Sequence, residues 1–450
     1  MSDVNPPTGM RDVLPEDYFL RDSLIAVIRR VYESYGYVPV DTPVAERLEY
    51  LTGKAGGEAE QLMFKILKRG ARLERDTEGE LADMALRYDL TVSLCRFYAT
   101  NRHLLPRLFR RYHVAPVWRA DRPQRGRFRE FYQCDVDVIG EKGTLPECEV
   151  ILATVEAIRA LGLGDHFVKI SDRRLLPIVF TSMGFSDQEV RKAMVSVDKL
   201  DKIGVQGVLT ESEGYLAEDK RASLERFLSD ITGREDLELS VGALGEWGQR
   251  CSGELEPLLQ NLRTISRVIR EAQGEPVALT FWPSLVRGMA YYDGPIFEIW
   301  NREHPFSLAG GGRYDGLIGV FLGEEVPACG FSIGFERILT VMKERGTAAV
   351  RRTKVHALVA LREEGIEGVG LCLARQLRAA GVATEVYPYT PKIKRQFEHA
   401  ERLGIPWVVL VGKPEGAGQE LELANTIDRS RAKASWESIL SSLRPTVGIK

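Results

Sequence analysis

An arginine-rich segment, residues 107–129, is the part of the sequence whose composition most directly suggests chemistry. It holds eight arginines against one acid, Asp121, in a chain with 61 basic and 64 acidic residues overall. A guanidinium group offers a planar fork that binds a phosphate through two hydrogen bonds, so arginine without lysine favours a defined phosphate site. A solvated hairpin is the other interpretation of such a charge run, and composition alone leaves it open.

The strand that follows this segment alternates in polarity. Gln133, Asp135 and Asp137 fall on one face, and the residues between them fall on the other. If the strand is central in a sheet, its polar face lines a cavity, because a buried carboxylate needs a cationic or hydrogen-bonding partner. A sheet whose polar face meets solvent is the alternative.

Two glycine-containing segments also have compositions that suit a ligand site. Residues 285–298 place a lone arginine, Arg287, beside a glycine and two tyrosines, and residues 309–317 contain three consecutive glycines before Arg313. Such glycines suit a backbone that approaches a ligand closely. Neither segment is a GxGxxG or a Walker A sequence, so no Rossmann or P-loop site is predicted.

The elements that must position these residues follow from periodicity. Apolar spacing predicts a helix from Tyr18 to Tyr35 and then a strand from Tyr37 to Val40. Residues 107–140 predict an antiparallel hairpin with a loop from Asp121 to Phe128. Helical spacing dominates residues 173–270. Further strands are predicted at 296–300 and 305–309, and the three glycines after them predict a break in the strand.

The predicted order of strands and helices changes after a short basic stretch, residues 345–353. Strands at 355–361, 383–387 and 407–411 alternate with two helical segments. This alternation predicts a small α/β domain around a mostly parallel sheet. Lys392, Lys394 and Arg395 could contact RNA there, although a solvated helix start explains three such charges equally well.

Composition limits the remaining possibilities. A length of 450 residues suggests several domains, and a net charge of -3 excludes a general polyanion binder. The six scattered cysteines form no CxxC pair, so we expect free, buried thiols and no metal site. The N-terminus lacks the apolar stretch of a signal peptide, and no run is long enough to span a bilayer, so we expect a cytoplasmic protein.

Several ordered motifs together carry a family resemblance. The stretch from Arg119 to Gln133 reads RADRPQRGRFREFYQ and resembles motif 2 of class II aminoacyl-tRNA synthetases, and Gly330 to Arg337 resembles their motif 3. The pairing of LVRGMAYY at 285–292 with AGGGRYD at 309–315 is similar to the signatures of the histidyl-tRNA synthetase family. Further matches lie at 9–12, 86–91 and 198–202.

The resemblance implies an α+β fold. A class II catalytic domain with an antiparallel sheet would occupy residues 1–172 and 271–345, interrupted by a helical insertion domain at 173–270. A C-terminal α/β anticodon-binding domain would occupy 353–450. This chain departs from the family pattern at Ala290, at Ser93 and across residues 421–439, and anticodon recognition is accordingly the least defined part.

The resemblance also implies roles for individual residues. Arg119 and Arg287 would bind the α-phosphate of ATP, Arg337 would contact the nucleotide, and Arg127 would close over ATP from the loop. Asp89, Thr91 and Gln133 would bind the α-ammonium of histidine, Asp137 and Tyr292 would read its imidazole, and the glycines would form the pocket floor. The implied histidine-binding set is Asp89, Thr91, Gln133, Asp137, Arg287, Tyr291, Tyr292, Gly310 and Gly311.

The implied activity is a histidine–tRNA ligase that uses L-histidine, ATP with Mg²⁺, and tRNA(His). A homodimer is implied through the first helix and Pro43. There are two alternatives. One belongs to a different class of function, a histidine-binding paralogue such as the regulatory subunit of ATP phosphoribosyltransferase, and the other is a class II synthetase for another amino acid. The retained Arg119, Arg287 and Arg337 argue against the first, and the 287–292 segment argues against the second.

Overall fold

A computed structural model describes most of the chain. The described residues are 4–52, 62–69, 81–124, 126–233, 238–272, 274–286, 291–304, 306–345, 352–389, 392–415 and 418–443. They form two compact units, one from residues 1–12 and 24–344 and the other from residues 13–23 and 345–450. Arg287 lies outside the described residues.

The described part of the larger unit contains eleven strands. They are β1 Val38–Pro39, β2 Ala45–Arg47, β3 Lys65–Leu67, β4 Ala82–Leu86, β5 Phe109–Trp118, β6 Glu130–Ile139, β7 His166–Asp172, β8 Leu279–Phe281, β9 Pro295–Asn301, β10 Ser307–Arg313 and β11 Ala328–Gly334. Eight of them form one sheet in the order β1-β5-β6-β11-β10-β9-β7-β8, and β2, β4 and β3 form a smaller antiparallel sheet. The five central pairings of the large sheet are antiparallel, and its two edge pairings, β1–β5 and β7–β8, are parallel.

Helices precede, cover and interrupt this sheet. They are α1 Pro15–Ser34, α2 Leu48–Thr52, α3 Thr91–Asn101, α4 Leu145–Ala160, α5 Leu175–Ser182, α6 Asp187–Val197, α7 Leu200–Ser212, α8 Glu218–Ile231, α9 Gly245–Arg250, α10 Ser252–Glu271, α11 Asp315–Leu322 and α12 Phe335–Glu344. The predicted first helix is confirmed, and it begins earlier, at Pro15, where proline suits the first helical turn. None of the described helices combines the length and apolar character needed to cross a bilayer.

The segment between β7 and β8 is helical, as periodicity predicted. It contains α5 to α10, and Gly204 interrupts α7 with a positive φ of 67°. The α6 N-terminus carries a capping box in which Ser186 and Glu189 satisfy each other's backbone amides. The assignment of residues 173–270 as a separate domain stays a prediction, since these helices belong to the same compact unit as the sheet.

The β5–β6 hairpin is confirmed, with a loop between Trp118 and Glu130. Its register pairs Arg111 with Asp137 and His113 with Asp135, and it continues to Trp118 opposite Glu130. The apolar face of β6 is buried, and Tyr32 of α1 donates a hydrogen bond to the Cys134 carbonyl at 3.4 Å. The polar face is buried too, which excludes the solvent-facing alternative.

The prediction for residues 305–313 was wrong in one respect. Gly310, Gly311 and Gly312 do not end a strand but lie inside β10, which runs from Ser307 to Arg313. The reason is close packing: a Cβ at Gly311 would lie 2.2 Å from the Gly330 carbonyl oxygen. These glycines are therefore required by the approach of neighbouring strands, not by a turn.

The smaller unit contains the C-terminal strands and helices. They are β12 Ala357–Leu361, α13 Glu367–Ala379, β13 Thr384–Tyr387, α14 Ile393–Leu403, β14 Trp407–Glu415, β15 Gly418–Asn425, β16 Arg431–Lys433 and α15 Trp436–Leu443. The predicted β-α-β-α-β order is confirmed, but the sheet is mixed, not mostly parallel. β12 pairs in parallel with β13 and β14, whereas β14–β15 and β15–β16 are antiparallel, because such short connections permit only hairpins.

The cysteine prediction is confirmed in part. All six thiols are free, and five of them are buried. Cys372 is exposed, because α13 buries Leu373, Ala374 and Leu377 and turns position 372 outward.

Candidate active site

The polar face of β6 leads into a buried ionic cluster. Arg111 of β5 and Asp137 are both fully buried, and Arg111 Nη2 lies 2.7 Å from Asp137 Oδ2. Tyr314, at the start of α11, donates its hydroxyl hydrogen to Asp137 Oδ1. Burial raises the pKa of Asp137, and Arg111 opposes that rise. Arg111 and Tyr314 thus fix the carboxylate, yet no donor among the described residues is aligned on Oδ2.

A hydrogen-bond chain occupies the next position on this face. Gln133 Nε2 donates to Ser332 Oγ of β11 at 2.9 Å, and Ser332 also hydrogen-bonds Asp135, its register partner. Burial raises the pKa of Asp135 to about 7; Arg111 opposes the rise, and the neighbouring Asp137 adds to it. Gln133 Oε1 and Asp135 Oδ1 are buried without a hydrogen-bond partner in the described part of the chain.

A third buried acid, Asp89, lies before α3. Its Oδ1 accepts a hydrogen bond from the Val92 backbone amide at 3.0 Å. Tyr291 donates to the Asp89 carboxylate and also hydrogen-bonds Thr91. Burial raises the pKa of Asp89, whereas the Val92 amide and Arg119 lower it. Asp89 Oδ2 has no partner among the described residues.

Glycines open the space beside these acids. Gly330 of β11 lies opposite Asp137, and a Cβ there would stand 1.9 Å from Asp137 Oδ1. Gly310 and Gly312 of β10 lie on the same polar face, and a Cβ at Gly312 would meet the Tyr292 ring at 2.9 Å. Gly311 points to the opposite face, so any contact that it makes with a ligand would use its backbone.

The aromatic side chains complete one wall of the site. The Tyr291 ring centroid lies 4.8 Å from that of Tyr292 and 6.1 Å from that of Tyr314. Tyr314 hydrogen-bonds Asp137, and the Tyr292 ring lies beside the Gly312 position, so both residues border the polar face of the sheet. The joint role of Asp137 and Tyr292 stays a prediction. All three tyrosines are buried.

The arginine-rich segment divides into two parts. Arg119, at the end of β5, donates its Nε hydrogen to the Tyr88 carbonyl at 2.9 Å and lies 5.1 Å from the Phe131 ring centroid. This arrangement places its charge beside Asp89. In contrast, Arg127 lies in the loop, pairs with Asp121 at 2.8 Å, and leaves half of its side chain exposed.

The N-terminal segment anchors that loop. The Arg129 backbone amide donates to the Gly9 carbonyl at 2.8 Å. Gly9 has a φ of 84°, and a Cβ at this position would lie 2.7 Å from Pro123. Arg11 pairs with Glu336 of α12, and its guanidinium lies 4.0 Å from the Phe128 ring centroid. The early motif at 9–12 therefore positions the loop.

The third predicted ATP ligand, Arg337, lies on α12. Its Nη1 donates to the Ser307 carbonyl at 2.6 Å and to the Ser307 hydroxyl at 3.0 Å. These bonds fix Arg337 at the beginning of β10, next to the glycine-containing stretch. Among the described residues, no cluster of three or more His, Cys, Asp or Glu side chains could hold a metal ion.

Sequence reasoning missed Arg111, Tyr314, Ser332 and Gly330. Arg111 was counted among the eight arginines without a role, because only the exact hairpin register shows that it faces Asp137. A one-residue slip would place it on the other face. The signal for Ser332 and Gly330 was their period-2 spacing within GFSIGFER, which puts both on one face of a strand.

The fold and the site define the class of protein. A large sheet with an antiparallel centre carries an arginine at the end of one strand, a glycine-lined acidic pocket at its centre and a motif 3 helix beside it. This is the catalytic domain of a class II aminoacyl-tRNA synthetase, with a separate C-terminal α/β unit.

Comparison with known proteins specifies the family. The sequence family described as histidyl-tRNA synthetase matches residues 9–338, and the anticodon-binding domain family matches residues 355–444. The histidine–tRNA ligase of Leifsonia xyli is 43% identical over 361 residues, which cover 76% of this chain and 81% of that protein. The histidine–tRNA ligase of Aeropyrum pernix is 39% identical over 422 residues, covering 93% of this chain and 92% of that protein.

Solved structures agree. The histidyl-tRNA synthetase of Nostoc superposes with a TM-score of 0.79 at 26% identity, covering 99% of both chains. A Bacillus halodurans protein described as an ATP phosphoribosyltransferase regulatory subunit/histidyl-tRNA synthetase shares the fold, with a TM-score of 0.71 at 20% identity, covering 92% of this chain and 100% of that one. The chain belongs to the histidyl-tRNA synthetase family and is an aminoacyl-tRNA ligase. The enzyme is thus favoured over the regulatory-subunit alternative.

Proposed function

We propose that this chain activates L-histidine with ATP, forming histidyl-adenylate and pyrophosphate, and then transfers histidine to the 3′ end of tRNA(His). One observation carries this proposal. Three buried acceptor atoms without partners among the described residues belong to neighbouring side chains of one site: Asp89 Oδ2, Gln133 Oε1 and Asp135 Oδ1. A fourth acceptor, Asp137 Oδ2, has the ion pair with Arg111 but no aligned hydrogen bond in the described part of the chain. A buried acceptor without a donor costs about 1–3 kcal/mol, so the site favours a ligand rich in N–H groups.

Histidine supplies the matching donors. Its α-ammonium carries three N–H groups and its neutral imidazole carries one. In this proposal Asp89, Thr91 and Gln133 bind the ammonium, and Asp137 and Tyr292 read the ring. Tyr291 orients Asp89 and Thr91 by hydrogen bonds to both. Gly310 and Gly311 form the floor beneath the ligand.

The chemistry needs positioning and charge stabilisation more than proton transfer. The histidine carboxylate is already ionised, so one of its oxygens attacks the α-phosphorus without a general base. The bond from the α-phosphorus to the bridging oxygen breaks, and pyrophosphate leaves. Arg119 and Arg287 stabilise negative charge on the α-phosphoryl oxygens, while Arg127 and Arg337 hold the rest of the nucleotide. A ribose hydroxyl of tRNA then attacks the adenylate carbonyl carbon and releases AMP.

Magnesium enters this scheme with the nucleotide. Mg²⁺ prefers phosphate and carboxylate oxygens and keeps several waters, so it accompanies the triphosphate as part of the substrate. We further propose a cytoplasmic homodimer. In the isolated chain β1 forms an edge of the large sheet and exposes Val38, an arrangement that a second copy could cover.

Histidine-dependent ATP–pyrophosphate exchange tests the proposal. Wild-type protein should catalyse exchange with histidine and with no other amino acid of a full panel. Arg119→Ala should lower kcat by about 100-fold or more, because it removes charge stabilisation in the transition state. Arg107→Ala is the matched control, since Arg107 is exposed and belongs to the same arginine-rich segment. Absence of exchange with histidine would refute the proposal, and exchange without charging of tRNA(His) would refute its second step.

A further inference from the structure

The amide of Gln133 presents a question of orientation. Its Nε2 donates to Ser332 Oγ at 2.9 Å, while its Oε1 is buried without a partner in the described part of the chain. Rotating a carboxamide by 180° exchanges its donor and its acceptor with almost no change in shape. Only the oxygen can accept a hydrogen from an ammonium group. The pocket therefore needs a device that holds the oxygen toward the ligand.

Ser332 and Asp135 form such a device. A serine hydroxyl has a single hydrogen to donate, whereas an ionised carboxylate can only accept. Asp135 lies opposite Ser332 in the register of β6 and β11, and Ser332 is a hydrogen-bond partner that lowers the pKa of Asp135. Above that pKa, about 7, the Asp135 carboxylate can only accept, so the Ser332 hydrogen points to it. The Ser332 oxygen is then left as an acceptor, and only the NH₂ end of Gln133 can face it.

We propose that Ser332 and Asp135 are positioning residues that fix the Gln133 amide with its oxygen toward the α-ammonium of histidine. Both act through Gln133. The inference rests on the proposed function, because that function assigns the ammonium contact to Gln133. It also gives a reason for an otherwise costly arrangement, a second buried carboxylate beside Asp137, whose own ion pair is with Arg111.

The competing role for Asp135 is direct contact with the ammonium through its own Oδ1, which also lacks a partner among the described residues. The two roles differ in what Ser332 does. If Asp135 binds the ammonium directly, removing the Ser332 hydroxyl leaves that charge contact in place. If Asp135 acts through Ser332, removing the hydroxyl is as harmful as removing the charge.

The test compares histidine with imidazole-propionate, which retains the ring and the carboxylate but lacks the α-ammonium. In ATP–pyrophosphate exchange, Ser332→Ala and Asp135→Asn should each raise the KM for histidine about fivefold, the effect of one lost hydrogen bond. The kcat should stay within about twofold, and the Ki of imidazole-propionate should not change. Ser332→Thr, which keeps the hydroxyl, should restore most of the affinity for histidine.

A double-mutant cycle tests the path through Gln133. In a Gln133→Leu background, Ser332→Ala should add less than about twofold to the KM, because the group that it orients is gone. Ser212→Ala is the matched control: Ser212 is a buried serine in α7 that bonds its own helix backbone at Leu209. Thermal unfolding of each variant shows that it is folded.

Three results would overturn the inference while leaving the proposed function intact. They are an unchanged KM in Ser332→Ala, equal losses for histidine and imidazole-propionate, and additive effects of the Ser332 and Gln133 variants. Wild-type protein without histidine-dependent exchange would overturn the proposed function itself, and the inference with it.

Discussion

Arg111 and Asp137 pair across the β5–β6 hairpin, with Arg111 Nη2 2.7 Å from Asp137 Oδ2 and side-chain exposures of 0% and 3%. The preceding residue, Arg110, points to the other face and pairs with Glu149 at 2.8 Å, with both side chains about one quarter exposed. Two adjacent arginines in one strand thus make ion pairs of very different burial. The buried pair determines where the Asp137 carboxylate can stand.

Replacing Arg111 should therefore be far more damaging than replacing Arg110. Arg111→Met leaves a buried carboxylate without its cation and should cost about 3–5 kcal/mol, lowering the apparent Tm by roughly 10 °C. Arg110→Met, the matched control, should cost less than about 1 kcal/mol. Differential scanning calorimetry measures both. Equal decreases in apparent Tm for the two variants would show that the buried ion pair stabilises the fold no more than the exposed one.

Gly330 should be intolerant of even one methyl group. A Cβ at this position would lie 1.9 Å from Asp137 Oδ1, so Gly330→Ala must move the carboxylate from its place between Arg111 and Tyr314. Displacement of a recognition group by about 1 Å can cost about 100-fold in kcat/KM, and we expect a loss of that order for histidine. The KM for ATP should stay within about twofold.

Gly253→Ala is the control for this change, because a Cβ at Gly253 meets nothing within 4 Å and helix α10 accepts alanine readily. An unchanged kcat/KM for histidine in Gly330→Ala would mean that Asp137 does not read the ring in the observed position.

The Asp135 carboxyl should make the ligand-free protein less stable as pH rises. Burial raises its pKa to about 7, Arg111 opposes the rise, and Asp137 adds to it, as Asp89 does more weakly. The pKa of an aspartate in the unfolded chain is about 4. Between these values the folded state binds more protons than the unfolded state, so the free energy of unfolding falls as pH rises through this window.

Asp135→Asn removes this dependence and should raise the apparent Tm of the ligand-free protein at pH 8, with a gain that shrinks as pH falls toward 5. Each kcal/mol recovered corresponds to about 2–4 °C. With saturating histidine this gain should shrink by about 1 kcal/mol, since the variant binds histidine about fivefold less tightly. A variant less stable than wild type at pH 8 without ligand would contradict the account.

Chelation should separate activity from stability. EDTA should abolish ATP–pyrophosphate exchange, and Mg²⁺ should restore it, because the ion accompanies the triphosphate. The same treatment should leave the apparent Tm of the nucleotide-free protein unchanged, because in this proposal the ion binds with the nucleotide. A fall in Tm on adding EDTA would reveal a resident ion.

Much of this architecture is local enough to be predicted. The polar alternation of Gln133, Asp135 and Asp137, the hairpin, and the helical stretch after β7 all follow from periods of 2 and 3.6 residues. Sequence reasoning also placed Asp137 and Tyr292 together, although it did so through the family resemblance and not through periodicity.

What escaped prediction depends on contacts between distant segments. Gly310 to Gly312 carry the signal of a turn, but the approach of β11 places them inside a strand. The pairing of Arg111 with Asp137 requires the exact register, and the role of Ser332 requires knowing that β11 lies next to β6. The antiparallel half of the C-terminal sheet was missed although β15 alternates in polarity from Glu420 to Leu423, because an alternating strand does not by itself reveal which neighbour it pairs with.

A crystal structure of the protein with L-histidine and a non-hydrolysable ATP analogue would show directly whether the buried acceptors bind histidine. We expect the imidazole to lie between Asp137 and Tyr292 and to donate an N–H hydrogen to Asp137 Oδ2. We also expect the α-ammonium within hydrogen-bond distance of Gln133 Oε1 and Asp89 Oδ2, and the α-phosphate beside Arg119. Histidine bound elsewhere, or bound with its ring away from Asp137 and these acceptors still without donors, would contradict the proposed function.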